Sequence, residues 1–469
     1  MSSLTFLGAV GEVTGSRYLL EADGDGERRR ILLECGLHQG GPNADRDNAQ
    51  PLGALATSLD AVVLSHAHLD HSGLLPKLVR EGYRGPIHCT RATRELLAIL
   101  LADAAFIQQK DLEWQNKWRT KRGKPLLEPL YTLDDVEQTL QQCIAHGYGN
   151  PVQLPGGVTL VYQDAGHILG SAIVELKVPS GGRDRRLIFS GDLGNASSVL
   201  MRAPQPIHDA DIVLMESTYG DRDHRPLDET IDEFADVLAQ AHAAGGNVLI
   251  PAFAVGRSQE VLYHLSMLHH QGRLKQSLIF LDSPMAIRVT ELYQKMSKAL
   301  NRDDLHELNI AAEGDPSRYL PGLRLTRTVE ESMAINRIQG GAIIIAGAGM
   351  CNGGRILHHF RYHLSRPSTR LVIVGFQAAG SLGRQLVDGV EQVKVMGDTL
   401  AVKAKVHTIG GFSAHAGQNE LLGWASAFRT HPVFYLVHGE PSAQQALQNA
   451  MQAQGMQANI PAPKDRITL

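Results

Sequence analysis

Apolar residues fall in short runs along much of the chain, each closed by glycine, histidine or a turn-forming residue, a pattern of buried strands. "LTFLGA", "SRYLLEA" and "RRILLECG" read as strands joined by turns such as the "DGDG" at 23 to 26. "LDAVVL" reads as another strand and "SGLLPKLVRE" as the helix after it. Residues 91 to 145 change to a helical pattern that carries "KWRTKRGK" and two of the three tryptophans, Trp114 and Trp118. Their i, i+4 spacing predicts core contacts rather than a base-stacking platform. Strands resume with "GVTLVYQDAGH", "SAIVELKV" and "RRLIFSGD".

From about residue 211 a second rhythm starts. "DIVLMEST", "NVLIPAF", "SLIFLDSP", "GGAIIIAGAG" and "TRLVIVGF" are strand-like, with helical segments between most of them. This alternation predicts a parallel sheet covered by helices. After about 395, "VKAKVHTIGGFSAHA" and "PVFYLVHGE" return to the first style. The reading is one domain interrupted by an inserted α/β domain.

At 469 residues the chain exceeds one ordinary core, and 43% hydrophobic with 20% charged residues is a globular composition. A net charge of −4 gives no global electrostatic footprint for nucleic acid, so a polyanion must be held by a local patch or by metal. Cys35, Cys89, Cys143 and Cys351 form no CxxC, which argues for a reducing compartment and against a disulfide framework or a cysteine zinc site. The start lacks a basic region followed by a long apolar run, and no 18-residue apolar stretch occurs. The expected location is the cytoplasm, without membrane contact.

One stretch stands out chemically. "LSHAHLDHSG", residues 64 to 73, places His66, His68, Asp70 and His71 on a strand-to-helix turn. Crowded imidazoles cost desolvation energy unless a cation holds them. His167, Asp192, Glu216, His415 and His438 likewise sit at or shortly after apolar strands, where sheet proteins assemble their sites. A lone histidine there would ordinarily be a hydrogen-bonded structural residue, but the coincidence with HxHxDH makes chance a poor explanation. In a turn leaving a strand, His66 and His68 project to one side and can share a metal, and Asp70 and His71 fall toward a second position. Histidine and carboxylate without thiolate suit Zn²⁺, and a carboxylate such as Asp192 can bridge two ions.

These motifs, with "GHILGS", "SGDLGN", "ESTYG", "FSAHA" and "LVHGE" in order, resemble those of the metallo-β-lactamase-fold hydrolases, and within them the β-CASP nucleases. The resemblance covers nearly the whole chain, from "LGAVGEVTGS" to "LVHGE". It implies an αββα sandwich with an inserted α/β β-CASP domain: residues 1–208 and 396–469 for the sandwich, the latter an RNA-specificity segment, and 209–395 for the insertion. It implies two Zn²⁺ per chain, one on His66, His68 and His167, the other on Asp70, His71 and His438, with Asp192 bridging. Glu216 and His415 are implied as the proton-donating couple. The histidine at "LVHGE" is typical of the RNA-directed branch, and the implied partner is single-stranded RNA in the cleft between domains. A homodimer through the terminal segment is implied by the same resemblance. One departure is the family segment like "LLDCG", which here reads "LLECG". The resemblance makes Glu34 a residue that orients a ligand histidine, one methylene longer than usual.

Such a centre predicts in-line hydrolysis of a phosphodiester, with Asp70, Asp192, Glu216 and His415 as the catalytic set. Glu216 favours the His415 imidazolium, which protonates the departing 3′-oxygen and leaves a 5′-phosphate and a 3′-hydroxyl. Gly353, Gly354 and Arg355 of "GAGMCNGGRILHHF", and Ser381, Gly383 and Arg384 of "FQAAGSLGR", are candidate phosphate contacts at helix starts. "PAFAVGRSQE", with Gly256 and Arg257, is as well read as packing. The basic run Lys117, Arg119, Lys121, Arg122 and Lys124 reads as a solvated helix end, and His269, His270, His358, His359 and His363 as surface or packing residues. The rival readings are a DNA or small-ester metallohydrolase, and a non-catalytic RNA-binding subunit of a processing complex.

Overall fold

The computed structural model describes all residues except 25–26, 41–42, 301–319 and 379. The second half of the "DGDG" turn and one alanine of "FQAAGSLGR" therefore lie outside the described residues. The chain forms two compact units, Met1–Ala196 with Ala203–Asp223 and His415–Leu469, and Ser197–Arg202 with His224–Ala414.

In the first unit two seven-stranded sheets pack face to face. One runs in the order Arg466–Thr468, Ser3–Gly8, Arg17–Gly24, Glu27–Leu33, Ala61–Val63, Ile87–Thr90, Cys143–His146. The other runs Gln457–Asn459, Val433–Val437, Ile212–Glu216, Arg183–Phe189, Ala172–Ser180, Thr159–Asp164, Val152–Gln153. Alternation decides which residues meet between them: Leu4, Phe6, Ile31, Leu33, Ala61 and Val63 from one face pack on Val174, Leu176, Leu187, Phe189, Leu214 and Val437 from the other. Helices Gln418–Ala425 and Pro441–Ala453 cover the outer face of the second sheet through Leu421, Trp424, Leu447 and Met451. Arg91–Lys121 packs on Ile87–Thr90 and Cys143–His146 of the first. This is the expected αββα sandwich.

The second unit has the expected parallel sheet, in the order Leu323–Leu325, Leu278–Leu281, Ala342–Ala346, Val248–Pro251, Arg370–Ile373, Lys405–Thr408. Its inner strands Ala342–Ala346 and Val248–Pro251 are buried on both faces because both are covered. Val248, Ile250, Ile343 and Ile345 meet Phe234, Val261 and Ile287 on one side. Leu249, Ile344, Leu371 and Ile373 meet Ile356, Phe360 and Leu386 on the other.

Three sequence expectations change. Ile212–Glu216, read as opening the second rhythm, pairs in parallel with Arg183–Phe189 and Val433–Val437 inside the sandwich. Lys405–Thr408, read as a return to the first style, pairs with Arg370–Ile373 in the other unit. Trp114 and Trp118 are not core residues: they are 65% and 51% exposed, because Arg91–Lys121 has its last buried residue at Ala105 and runs on beyond the core. Among the described residues, no helix is long and apolar enough to cross a membrane.

Candidate metal centre

The site gathers at the carboxyl ends of strands in the first unit. Glu34 follows Glu27–Leu33, the HxHxDH turn follows Ala61–Val63, His167 follows Thr159–Asp164, and Asp192 follows Arg183–Phe189. Glu216 is the last residue of Ile212–Glu216, and His438 follows Val433–Val437. His415 is held beside Asp192 by a bridge to Gly194 and by the amide of Ala416 donating to the carbonyl of Leu193 (2.9 Å). Small residues let these loops converge. A Cβ on Gly36 would lie 1.8 Å from the carbonyl oxygen of Asp70, and one on Gly194 would lie 2.0 Å from that of Gly166.

Two donor sets adjoin. In the first, His68 Nδ1 lies 3.2 Å from both His66 Nε2 and His167 Nε2. Asp192 Oδ2 lies 3.5 Å from His66 Nε2 and 3.6 Å from His167 Nε2. In the second, His71 Nε2 lies 3.2 Å from His438 Nε2, which lies 3.4 Å from Asp70 Oδ2. Asp192 Oδ1 lies 3.3 Å from His71 Nε2. The two oxygens of one carboxylate thus face the two sets.

These residues fit metal ions. One imidazole nitrogen cannot satisfy two others by a single proton, so the triple convergence on His68 Nδ1 is poor hydrogen bonding and good ligation. Tetrahedral coordination at metal–nitrogen distances near 2.0–2.1 Å places neighbouring ligand atoms about 3.3 Å apart, close to the spacing observed. Asp192 Oδ1 is buried and makes no hydrogen bond, an orphan that a cation would satisfy. Burial, then the neighbouring charge of His71, pushes His66 well below the ordinary imidazole range. Burial also lowers His68, against the pull of Asp70. Both rings are therefore neutral near pH 7, the form that ligates.

Around the donors stands a layer of orienting groups. Glu34 accepts the amide of Ser65 (2.5 Å) through one oxygen and lies 2.9 Å from His71 Nδ1 through the other. Ser65 Oγ lies 2.9 Å from His66 Nδ1, and Thr218 Oγ1 lies 3.1 Å from His438 Nδ1. The sequence reading missed both hydroxyls. Their only signal was adjacency to "HAHLDH" and "ES", too common a feature to single them out.

Glu216 is fully buried, accepts the amide of Leu193 (2.6 Å), and has both oxygens 3.2 Å from His415 Nδ1. Burial works against a charged His415, but Glu216, together with Asp192 and Asp70, outweighs it and raises the His415 pKa to about 9. The ring also lies beside that of His167, with centroids 4.5 Å apart. The arrangement gathers side chains that could hold a metal ion, with the His415 imidazole paired to Glu216 beside them.

The six candidate phosphate contacts lie in the second unit, on two loops tied together. The amide of Gly383 donates to the carbonyl of Met350 (3.2 Å), and the amide of Leu382 to Asn352 Oδ1 (2.9 Å). Gly354 and Gly383 serve close packing: a Cβ would meet the Gly347 carbonyl at 2.3 Å and Gln377 Oε1 at 1.6 Å. Gly353 faces open space. Arg355 donates to buried Asp282 (2.7 Å), Ser381 caps its helix at the amide of Arg384, and Arg384 pairs with Asp388 (2.9 Å). Arg257 is buried against Glu260, in line with packing. His359 and His363 are fully buried and His269 and His270 exposed, as read from sequence.

Comparisons with known proteins follow the same plan. Residues 29–251 match the beta-lactamase superfamily domain, 258–386 the Beta-Casp domain, and 399–461 the Zn-dependent metallo-hydrolase RNA specificity domain. Ribonuclease TTHA0252 of Thermus thermophilus is 42% identical over 454 residues, covering 97% of this chain and 96% of that protein. The transcription termination factor FttA of Pyrococcus abyssi is 33% identical over 456 residues, covering 93% of this chain and 66% of its own length. A solved protein of unknown function from Enterococcus faecalis V583 aligns over 100% of both chains with a TM-score of 0.54 and 11% identity, a likeness of fold alone. Matched almost end to end by a ribonuclease and in order by all three domain types, the chain belongs to the β-CASP family of metallo-β-lactamase-fold ribonucleases.

Proposed function

We propose that this chain is a zinc-dependent ribonuclease that hydrolyses phosphodiester bonds of single-stranded RNA in processing or decay, leaving a 5′-phosphate and a 3′-hydroxyl. The observation that carries the reading is the pair of donor sets meeting at Asp192 with the Glu216–His415 couple alongside. The name of the Thermus relative and the match to an RNA-specificity domain support RNA as the substrate.

His66, His68 and His167 would hold one Zn²⁺, Asp70, His71 and His438 a second, with Asp192 shared between them. Two such ions, when bound, supply Lewis acidity that acidifies water and offsets the charge of a phosphodiester. The chain's own residues do the rest. Glu34, Ser65 and Thr218 fix the rings of His71, His66 and His438, so ligation costs little reorganisation. Glu216 holds Nδ1 of His415, which directs the Nε2 proton to the departing 3′-oxygen. In sum, one water is consumed: its oxygen ends on the 5′-phosphate and a proton on the 3′-oxygen.

The test is digestion of one RNA labelled separately at each end, with and without chelator, for the wild type and His415→Ala. The expected result is cleavage that chelator abolishes and Zn²⁺ restores. His415→Ala should keep its zinc and lose about 10²–10⁴-fold in rate. Full activity in that variant would remove the proton-donor role. Equal cleavage of DNA of the same sequence would favour a general phosphodiesterase, and RNA binding without zinc or cleavage would favour a non-catalytic subunit.

A further inference from the structure

Helix Arg91–Lys121 begins within the sandwich and ends outside it. Thr90 and Thr93 anchor its start, both donating to the carbonyl of Gly170 (2.7 and 2.9 Å). The buried positions Leu96, Leu97, Leu100 and Leu101 follow at core spacing, and Ala105 is the last. The rest, residues 106 to 121, runs roughly 24 Å without a buried residue. The chain then folds back on it: Asn116 Nδ2 donates to the carbonyl of Leu127 (3.0 Å), and Asn116 Oδ1 accepts the amide of Leu127 (2.9 Å). Arg119 Nε donates to the carbonyl of Pro125 (2.6 Å). This braced arm leaves Phe106, Ile107, Trp114 and Trp118 exposed.

Exposed aromatic surface on an ordered element marks a contact, and charge says with what. The tip "WQNKWRTKRGK", residues 114 to 124, carries Lys117, Arg119, Lys121, Arg122 and Lys124 and no acid, in a chain whose net charge is −4. Lys121 Nζ and the Arg122 guanidinium lie 5.9 and 5.6 Å from the ring centre of Trp118. The two indoles are 6.4 Å apart and inclined at 58°, so neither is spent on stacking with the other. Flat rings among cations are the ordinary means of holding an unpaired strand, the bases stacking and the phosphates pairing with charge. A second copy is poorly suited to the same surface. On the helix from 106 onward it would offer this run only Asp111 and Glu113, and Glu113 is already paired with Lys110 (2.9 Å).

We propose that this arm is a docking surface for single-stranded RNA, with Trp114 and Trp118 as stacking platforms and the basic tip gripping phosphates. The identity of the strand as RNA rests on the ribonuclease reading; the arm belongs to the strand-binding chemistry and contributes no group to the cation cage.

The test measures binding separately from cleavage. Zinc-loaded full-length protein is titrated against a dye-labelled 2′-O-methyl phosphorothioate 20-mer, which resists hydrolysis, and followed by anisotropy and by tryptophan emission. The strand is expected to quench wild-type emission, and Trp114→Ala/Trp118→Ala to weaken binding at least about tenfold. A duplex of the same sequence should lose less than about twofold, since its bases are already stacked. Replacing Lys117, Lys121, Arg122 and Lys124 by Gln should flatten the salt dependence by about 0.7 in slope for each phosphate no longer gripped. All are exposed positions, and an unchanged far-UV spectrum verifies folding. Equal strand affinity with and without the tryptophans overturns the proposal, as does a wild-type dimer that the same variant dissolves. A chain that binds through the arm but cleaves no RNA sinks the ribonuclease reading and leaves the arm standing. One that cleaves RNA yet binds equally without the tryptophans does the reverse.

Discussion

Glu34 sits at φ 64°, a left-handed backbone that side chains other than glycine, asparagine and aspartate seldom take. What holds it there is its fully buried carboxylate, clamped between the Ser65 amide and His71 Nδ1. Burial pushes this carboxyl up, and the contact to His71 is the main opposing pull. The longer side chain therefore reaches the ring that the shorter aspartate of the "LLDCG" segment is expected to orient. Glu34→Gln keeps the length and removes the charge, so it can accept one of these donors but no longer favours the proton on Nδ1. We expect zinc affinity to fall about 10–100-fold, measured by competition with a chromophoric chelator, with the fold retained. Unaltered affinity would show that Glu34 merely fills space.

At the scale of the element, the donors are placed by strand ends, and the fit of the loops between them is close. Gly194 lies two residues after Asp192, and its missing side chain lets the chain pass the Gly166 carbonyl one residue before His167. Gly194→Ala puts a methyl where backbone already stands. The expected result is a loss of roughly 3 kcal/mol in stability and of most bound zinc, read by denaturant titration and metal analysis. A normal zinc content in a fully folded variant would show that the loop can yield.

The same scale explains what the sequence revealed. The gathering of these side chains was legible because HxHxDH crowds histidine and aspartate into four of six positions, and an apolar strand runs just before each of His167, Asp192 and His438. Ile212–Glu216 was assigned to the wrong rhythm because a strand buried on both faces reads alike in either sheet; only pairing decides. Trp114 and Trp118 were misread because i, i+4 spacing marks one side of a helix without saying whether anything lies against it. Ser65 and Thr218 were invisible because a hydroxyl near a histidine has no distinctive pattern.

Across the whole molecule, several histidines are kept neutral by their surroundings. Burial, then His146, takes His88 down to about 4; burial, then Arg366, takes His363 to about 4. Burial, then Arg257, takes His264 to about 3. His264 stacks on Phe412 at 4.5 Å and has no hydrogen-bond partner on either ring nitrogen. A histidine whose folded pKa lies below its unfolded value, about 6.5, supports the fold fully above that pH and withdraws support as pH falls toward the folded value. His264 alone costs about 1.4 kcal/mol per pH unit in that window. His264→Leu should therefore gain about 2 kcal/mol on the wild type between pH 7 and pH 5, measured by urea unfolding at both. Parallel pH profiles would contradict the buried-neutral assignment.

The proposed cage is also split in time. Its first five zinc donors and Asp192 are all made before residue 193, whereas His415 and His438 come only after the segment 224–414 that forms the other compact unit. At ~5–20 residues per second, a ribosome needs on the order of tens of seconds to cross that gap. A growing chain would thus carry every proposed zinc donor but His438, and not yet His415, beside the message that encodes it. On the proposed reading, the second donor set closes and gains its neighbouring His415 only once the 224–414 segment has been made.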